Sequence, residues 1–442
     1  MTTRRHFLAG SGALTASLGA AALPLQAAPG KPAEAAFRPD DWASVRAQFR
    51  LAPDYVHLSN FFLASLPRPV RDAMAAYGRA LDANPFTYLQ DNMFRREEDM
   101  IWRDIAAAAA EYVGGQASEI ALTTSTTVGL ALLYNGIRLK PHQEILTTTH
   151  EHFPHHEAMR LAVEKGGGGV RKVSLYDNSL TTPAAEMVAR LRDAIRPNTR
   201  LIGLTWVHSS TGMRLPLRQM ADVVAEANRG REPADQALIV VDGVHGFGVV
   251  DVDVASLGCD FFCAGTHKWI LAPSGTGIVW GKSDSWQHVQ PTVPTLMGSA
   301  PLAAWLTGIA PSGSTEASWV SPGGLAAFEH QWTMIDAFRF HKQIGRARIW
   351  QRIADLNGQL KDGLARIGRV TQATPRDPAL SAGFVSFTVE GQTPGQVVQK
   401  LFEKKIVASV APYKVPYVRL SAGIVNSQQD IDSALRAVRA LA

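Results

Sequence analysis

Ala237-Leu238-Ile239-Val240-Val241-Asp242-Gly243-Val244-His245 and, further on, Phe261-Phe262-Cys263-Ala264-Gly265-Thr266-His267-Lys268-Trp269 decide the fold. Each opens with a short apolar run bounded by turn residues, the pattern of a strand buried on both faces. The first run ends in an acid and the second leads to a lysine. Similar strand-sized runs lie at 120–122, 144–147, 169–174 and 199–205, with helical stretches between several of them at 127–136, 157–166, 183–194 and 217–228. Strand and helix in alternation predict an α/β fold, a mostly parallel sheet with helices on both faces. Upstream, residues 55–58 predict a short strand running into a loop, and 70–81 and 95–112 predict helices, the second ended by Gly114-Gly115. After Pro322, a helical stretch at 325–353 leads into a second alternating region, with strands expected at 383–387, 406–409 and 417–420 and helices at 394–404 and 428–441. That region is a smaller α+β domain. The expected division is a leader at 1–28, an N-terminal segment at 29–75, a large domain at 76–320 and a C-terminal domain at 321–442.

The leader carries its own signal. Arg4-Arg5 followed by Phe7-Leu8 opens a run of Ala, Gly, Leu, Ser and Thr, which ends in Pro24-Leu25-Gln26-Ala27-Ala28. Adjacent arginines, a moderately apolar stretch and small residues before a cleavage point read as a twin-arginine export signal, with a periplasmic destination. Gly10, Gly12, Ser17 and Gly19 interrupt the run, so it is too short in continuous apolar length to serve as a membrane anchor. No other long apolar segment comes after it, and no membrane association is expected after processing.

With 442 residues, 46% of them hydrophobic and 19% charged, the chain has material for a large core and more than one lobe. The formal charge of +5 is spread along the chain without a basic block or an aromatic-interleaved stripe, so nucleic-acid binding has no support. The two cysteines, Cys259 and Cys263, are four apart; on one strand they are too distant for a disulfide and read as small buried hydrophobes.

An acid at the end of one buried strand and a lysine after the next is what pyridoxal phosphate (PLP) chemistry needs. The lysine holds the cofactor as a Schiff base, and the carboxylate keeps the pyridine nitrogen protonated so that the ring acts as an electron sink. Taken alone, Asp242 also reads as a turn or cap aspartate. Lys268 also reads as a solvated loop lysine, although Phe261, Phe262, Trp269, Ile270 and Leu271 around it argue for burial. His245 is placed to reach the cofactor's phenolic oxygen if Asp242 holds the ring nitrogen. A phosphate needs hydroxyls and backbone donors at a helix start, and Thr123-Thr124-Ser125-Thr126-Thr127 supplies them at a strand–helix corner; the same residues also suit a plain N-cap. His150-Glu151-His152-Phe153-Pro154-His155-His156-Glu157 invites a zinc hypothesis, that of an exported metal-binding protein without PLP. Pro154 is expected to interrupt the helix needed to align His152 with His156, and the His-Glu-x-x-His pattern is absent, so no metal site is expected. The better role is for His152 to stack on the pyridine ring.

Together these residues resemble the class V aminotransferases of fold-type I, nearest to the isopenicillin N epimerase-like group, over roughly the whole mature chain. The most specific matches are Asp242-Gly243-Val244-His245 and His267-Lys268-Trp269 with Ala272-Pro273-Ser274-Gly275-Thr276-Gly277. The resemblance implies that Ser125, Thr126 and Thr127 form the phosphate turn, that His152 stacks on the ring, and that Ser209 touches the phenolic oxygen. It also implies a homodimer in which Ser314 or Thr315 reaches the neighbouring subunit's phosphate. Arg419, in Val418-Arg419-Leu420-Ser421, falls where an arginine grips the substrate carboxylate, and a surface strand arginine is the plainer alternative. Asn60 matches a substrate-side position and equally suits a turn. The serine that some members carry three residues before the lysine is Gly265 here, which throws the phosphate grip onto Thr266 or His267.

The expected protein is an exported PLP enzyme acting on an amine, amino acid or amino-acid-derived metabolite, with transamination favoured and epimerisation or C–S cleavage as alternatives. Among similar proteins, the exported ones resemble periplasmic enzymes that tailor the siderophore pyoverdine. Cysteine desulfuration is disfavoured, because that chemistry resembles attack by a thiolate from a mobile loop after the lysine and no cysteine comes after Cys263.

Overall fold

The computed structural model describes residues 37–94, 100–297, 299–311 and 313–442. The stretch read as an export signal lies outside the described residues, as do 95–99 at the start of the second expected helix. Residues Phe37–Ala442 form one compact unit.

Thirteen strands occur among the described residues. In chain order they are β1 (Val56–His57), β2 (Ile120–Thr123), β3 (Glu144–Thr148), β4 (Gly169–Val173), β5 (Thr199–Thr205), β6 (Leu238–Asp242) and β7 (Phe261–Gly265). Next come β8 (Gly277–Gly281), β9 (Val370–Gln372), β10 (Val385–Val389), β11 (Ile406–Val407), β12 (Ser409–Val410) and β13 (Val418–Leu420). The main sheet has seven strands in the order β2-β8-β7-β6-β5-β3-β4. Its central strands β5, β6 and β7 read as largely apolar runs because both faces are covered. Ile202, Leu204, Ile239, Val241 and Phe262 feed one core, and the alternating Leu201, Leu238, Val240, Phe261 and Cys263 feed the other.

Strand β8 has no counterpart among the strand-sized runs read from the sequence. It runs antiparallel to both β7 and β2. The reason is the connection: the short stretch from Thr266 to Thr276 has no crossover helix, and without one a strand can only return antiparallel. Lys268 therefore lies in a hairpin loop just beyond the carboxyl end of β7. That loop is pinned where the Thr266 hydroxyl meets the Thr276 hydroxyl at 2.5 Å and the Ala272 N–H donates to the Thr266 carbonyl at 3.0 Å. Leu271 takes a left-handed backbone (φ 64°), a strained conformation for a branched side chain that the pinned loop imposes.

The remaining elements form a four-stranded antiparallel sheet, β12-β13-β10-β9, packed on the Arg346–Leu364, Pro394–Glu403 and Gln428–Arg439 helices around a third core. The single helical stretch expected at 325–353 is three helices, Phe328–Trp332, Met334–Ile344 and Arg346–Leu364, broken at Thr333 and at Gly345, whose φ of 94° no helix accommodates. Strand β1 pairs in parallel with β11, and the chain after it crosses to the main sheet, where the Ala64 N–H donates to the His267 carbonyl at 3.2 Å. Residues 58–64 thus bridge the two sheets and carry Asn60 to the lysine loop. No helix of the described residues is long and apolar enough to cross a membrane.

Candidate active site

Ligands in open α/β sheets gather beyond the carboxyl ends of the strands. Asp242 is the last residue of β6, and its Oδ1 accepts the Val244 N–H at 3.1 Å, which fixes the carboxylate over the strand end. Burial pushes its carboxyl above the usual aspartate range, an effect opposed by the charges of His155 and Lys268. Lys268 Nζ stands 3.2 Å from His245 Nε2. Burial lowers the Lys268 amine to about 8, although Asp242 pulls the other way. His245 is held neutral by burial and by the Lys268 charge, so its ring accepts from the ammonium. The structure thus brings Asp242, His245 and Lys268 together as the sequence predicts.

The buried nitrogens without a hydrogen-bond partner here include His245 Nδ1, His267 Nδ1 and Asn60 Nδ2. Leaving such groups dry costs about 1–3 kcal/mol each, so they point to a polar ligand that completes them. With a buried carboxylate and a neutralisable amine alongside, they fit PLP, which offers a ring nitrogen, a phenolic oxygen and a phosphate.

On the phosphate side the outcome is more particular. Ser125 caps the Thr126–Gly136 helix by accepting the Val128 N–H at 3.2 Å, so the capping reading of this turn holds as a fact of structure. The Thr126 hydroxyl accepts the Gly265 N–H at 2.8 Å and ties the helix start to the end of β7, while Thr127 is exposed. A Cβ at Gly265 would lie 2.7 Å from the His267 ring, so the imidazole occupies the room a serine there would need. Thr266 is fully buried with its hydroxyl spent on Thr276, which leaves His267, half-buried with a free Nδ1, as the one of that pair with a donor to spare. Ser314 is exposed and Thr315 half-buried, and neither joins the hydrogen bonds of this constellation.

Arg419 lies on β13, and only 4% of it is exposed. Its guanidinium donates to the Ser209 carbonyl at 2.8 Å, to the Val410 carbonyl at 3.1 Å and to the Ser409 hydroxyl at 3.3 Å, and it sits 4.8 Å from the Phe61 ring centre. The surface-strand alternative is therefore excluded. Burial depresses this arginine to about 10, and no carboxylate pairs with it among the described residues. The Ser209 hydroxyl meets the Tyr413 hydroxyl at 2.5 Å, and the Tyr413 ring lies 5.9 Å from that of His152. Burial, reinforced by the charges of Lys268 and Arg419, lowers His152 to about 4, so its imidazole is neutral. Tyr413 is a site residue that sequence reasoning misses. Its only signal is a tyrosine between Pro412 and Pro416 directly before the arginine strand.

The histidine cluster does not converge. His150 stacks on Tyr176 at 3.8 Å, His156 meets the Thr148 carbonyl at 2.8 Å, and His155 meets Glu151 at 3.1 Å and Tyr134 at 2.8 Å. Among the described residues no group of three His, Cys, Asp or Glu is arranged to hold a metal. Contrary to expectation, Pro154 does not interrupt a helix; it sits in the first turn of the Phe153–Gly166 helix, where a proline loses no hydrogen bond.

Sheet, strand-end aspartate and hairpin lysine together define a fold-type I PLP enzyme. Residues 63–433 match the family model described as aminotransferase class-V, and the chain belongs to that family. It is 28% identical over 413 residues to isopenicillin N epimerase of Streptomyces clavuligerus, covering 91% of this chain and 98% of the relative. It is 23% identical over 425 residues to a probable cysteine desulfurase of Vibrio cholerae, covering 89% and 97%. Among solved structures, a C-DES mutant with glycine covalently linked to its PLP cofactor superposes with a TM-score of 0.77 at 22% identity, covering 89% of this chain and 98% of that one.

Proposed function

We propose that this is an exported PLP enzyme of aminotransferase type that acts on the amino group of an amino acid or amino-acid-derived metabolite. The observation that carries the substrate class is Arg419, a buried guanidinium with no carboxylate of its own beside the lysine loop. A buried charge left unpaired is costly, so the partner is supplied by the substrate, and a fork of donors suits a carboxylate. When bound, PLP supplies an electron sink for bonds at the carbon beside the amino group. Lys268 holds the cofactor and, as an amine of depressed basicity, is the base that moves the proton at that carbon. With PLP bound, Asp242 would serve the ring nitrogen, His245 and Ser209 the phenolic oxygen and His152 the ring face. Ser125, Thr126, Thr127 and His267 serve the phosphate, and Asn60 stands on the substrate side. A homodimer would add Ser314 or Thr315 from the neighbouring subunit, and the exposed Leu302, Trp305, Leu306 and Ile309 supply apolar surface for such a contact.

Epimerase and desulfurase relatives keep two other outcomes in view. Desulfuration through a protein thiolate is disfavoured: burial pushes Cys259 up to about 12 and Cys263 well above the usual thiol range, so both are held as thiols. The test is product analysis after one turnover with candidate amino acids. A 2-oxo acid formed in proportion to enzyme supports transfer; an inverted amino acid or released sulfide replaces it with the epimerase or lyase reading. In the same assay Arg419→Lys keeps the charge and loses the fork, so KM is expected to rise about tenfold, roughly 1.4 kcal/mol. An unchanged KM for every carboxylate substrate would remove Arg419 from the role.

Export is supported by the Arg4-Arg5 leader. Changing both to lysine is expected to leave active protein in the cytoplasm, since the translocation machinery reads the guanidinium pair. Mature protein still found in the periplasm by fractionation would end that reading.

A further inference from the structure

Behind Asp242 the chain builds a second set of charges that the proposed chemistry does not use. Glu151 and His155 have no exposed side-chain surface, and they meet at 3.1 Å. The other oxygen of Glu151 takes the Thr148 hydroxyl at 2.6 Å, and the Thr205 hydroxyl donates to the oxygen shared with His155. The far nitrogen of His155 meets the Tyr134 hydroxyl at 2.8 Å. Burial alone would raise Glu151, but the hydrogen bond and charge of His155, followed by His208 and Thr148, bring it down to about 2, so it is an anion in the folded chain.

Its position is what matters. Thr205 and Asp242 are direct partners across β5 and β6, so their side chains share a face, and the Glu151–His155 pair is anchored on Thr205. The fold makes room for it: a Cβ at Gly203 on the same face would lie 2.4 Å from the Tyr134 hydroxyl and 3.3 Å from His155 Nε2. The titratable groups acting on Asp242 are His155, Lys268 and Glu151, and Asp242 acts in turn on Tyr134, Cys263 and Tyr413. Burial keeps His208, which faces Glu151, neutral at about 4. Two carboxylates thus share a dry region, where like charges interact far more strongly than in water.

We propose that His155 is a positioning residue for Asp242: its hydrogen bond holds the buried Glu151 carboxylate and offsets the charge that this neighbour presents to Asp242, which keeps Asp242 set for the cofactor's ring nitrogen. Both ring nitrogens of His155 are engaged, one with Glu151 and the other with the Tyr134 hydroxyl, so the imidazole is held on both edges. The inference depends on Asp242 serving the cofactor, and the test separates the two.

The measurement is the dissociation constant of PLP, by equilibrium dialysis at pH 8, with a thermal melt of each apoprotein. His155→Asn strands the Glu151 charge and is expected to weaken PLP about tenfold or more. Glu151→Gln added to His155→Asn removes that charge and is expected to restore affinity to within about threefold of the parent. In an Asp242→Asn background, His155→Asn is expected to change affinity less than twofold, because the residue it acts through is gone. If His155→Asn alone is insoluble, the Glu151→Gln pairing is expected to recover a folded, PLP-binding protein. Additive losses in the double variant, or a full His155→Asn effect without the Asp242 carboxylate, would show a packing role only and overturn the proposal. An Asp242→Asn protein that matches the parent in both PLP binding and turnover would instead overturn the reading of Asp242 itself.

Discussion

Lys268→Ala is expected to abolish turnover, by about 10⁴-fold or more, since it removes both the covalent anchor and the general base, and the base alone contributes up to that factor. The purified protein should lose the yellow colour and the borohydride-fixed cofactor that the parent carries. The fold should survive. Burial holds this amine at about 8, below its usual value, so the folded chain disfavours its protonated form at neutral pH, and alanine removes a burdened group. The hydrogen bond of the Lys268 amine is to His245, which can rebind through water. A melt of the apoprotein within a few degrees of the parent, together with loss of colour, is the expected pair of results. The depressed basicity adds a pH signature in the parent. Only the neutral amine takes up the cofactor covalently, so the rate of reconstitution should climb with pH and level off above about 8 rather than near 10.5. Cofactor still fixed to the protein chain by borohydride in Lys268→Ala would remove the lysine from its role.

Why Lys268 and Asp242 are legible from sequence, while their surroundings are not, is a matter of distance along the chain. Asp242 ends a buried strand and Lys268 comes after the next, so two local patterns locate both. Arg419 needs the family resemblance, because its burial depends on Ser209 and Phe61, more than two hundred residues away in sequence. Tyr413 and the Glu151–His155 pair escape sequence reasoning for the same reason. Each gains its meaning from a strand end elsewhere, and in the sequence His155 is one imidazole in a cluster that suggests zinc. Strand β8 is hidden because Gly277 and Gly281 bracket a three-residue apolar run that reads as the tail of a turn. The 325–353 stretch reads as continuous because its apolar spacing runs on past Gly345, and only the backbone angle there reveals the break.

Asp242→Asn is expected still to take up PLP, though about tenfold or more weakly, and to lower kcat by about a hundredfold or more, the scale of losing a group aimed at charge that develops in the reaction. The amide preserves the Val244 contact, since its oxygen accepts that N–H as the carboxylate does, so packing is conserved. What is lost is the anion facing the ring nitrogen. The stability of the two states then separates function from structure. Burial raises the folded-state pKa of Asp242, so its contribution to stability is nil below the unfolded value near 4 and becomes unfavourable as pH rises through the folded one. The apoprotein therefore carries a group whose charged form burial penalises, and Asp242→Asn should melt at or above the parent. With PLP bound the order should reverse, because the parent gains an ion pair that the amide cannot form. Melting curves of apo and loaded forms at pH 7, paired with kcat, decide it: a variant less stable than the parent in both forms by the same amount, with turnover near normal, would reduce Asp242 to a turn residue.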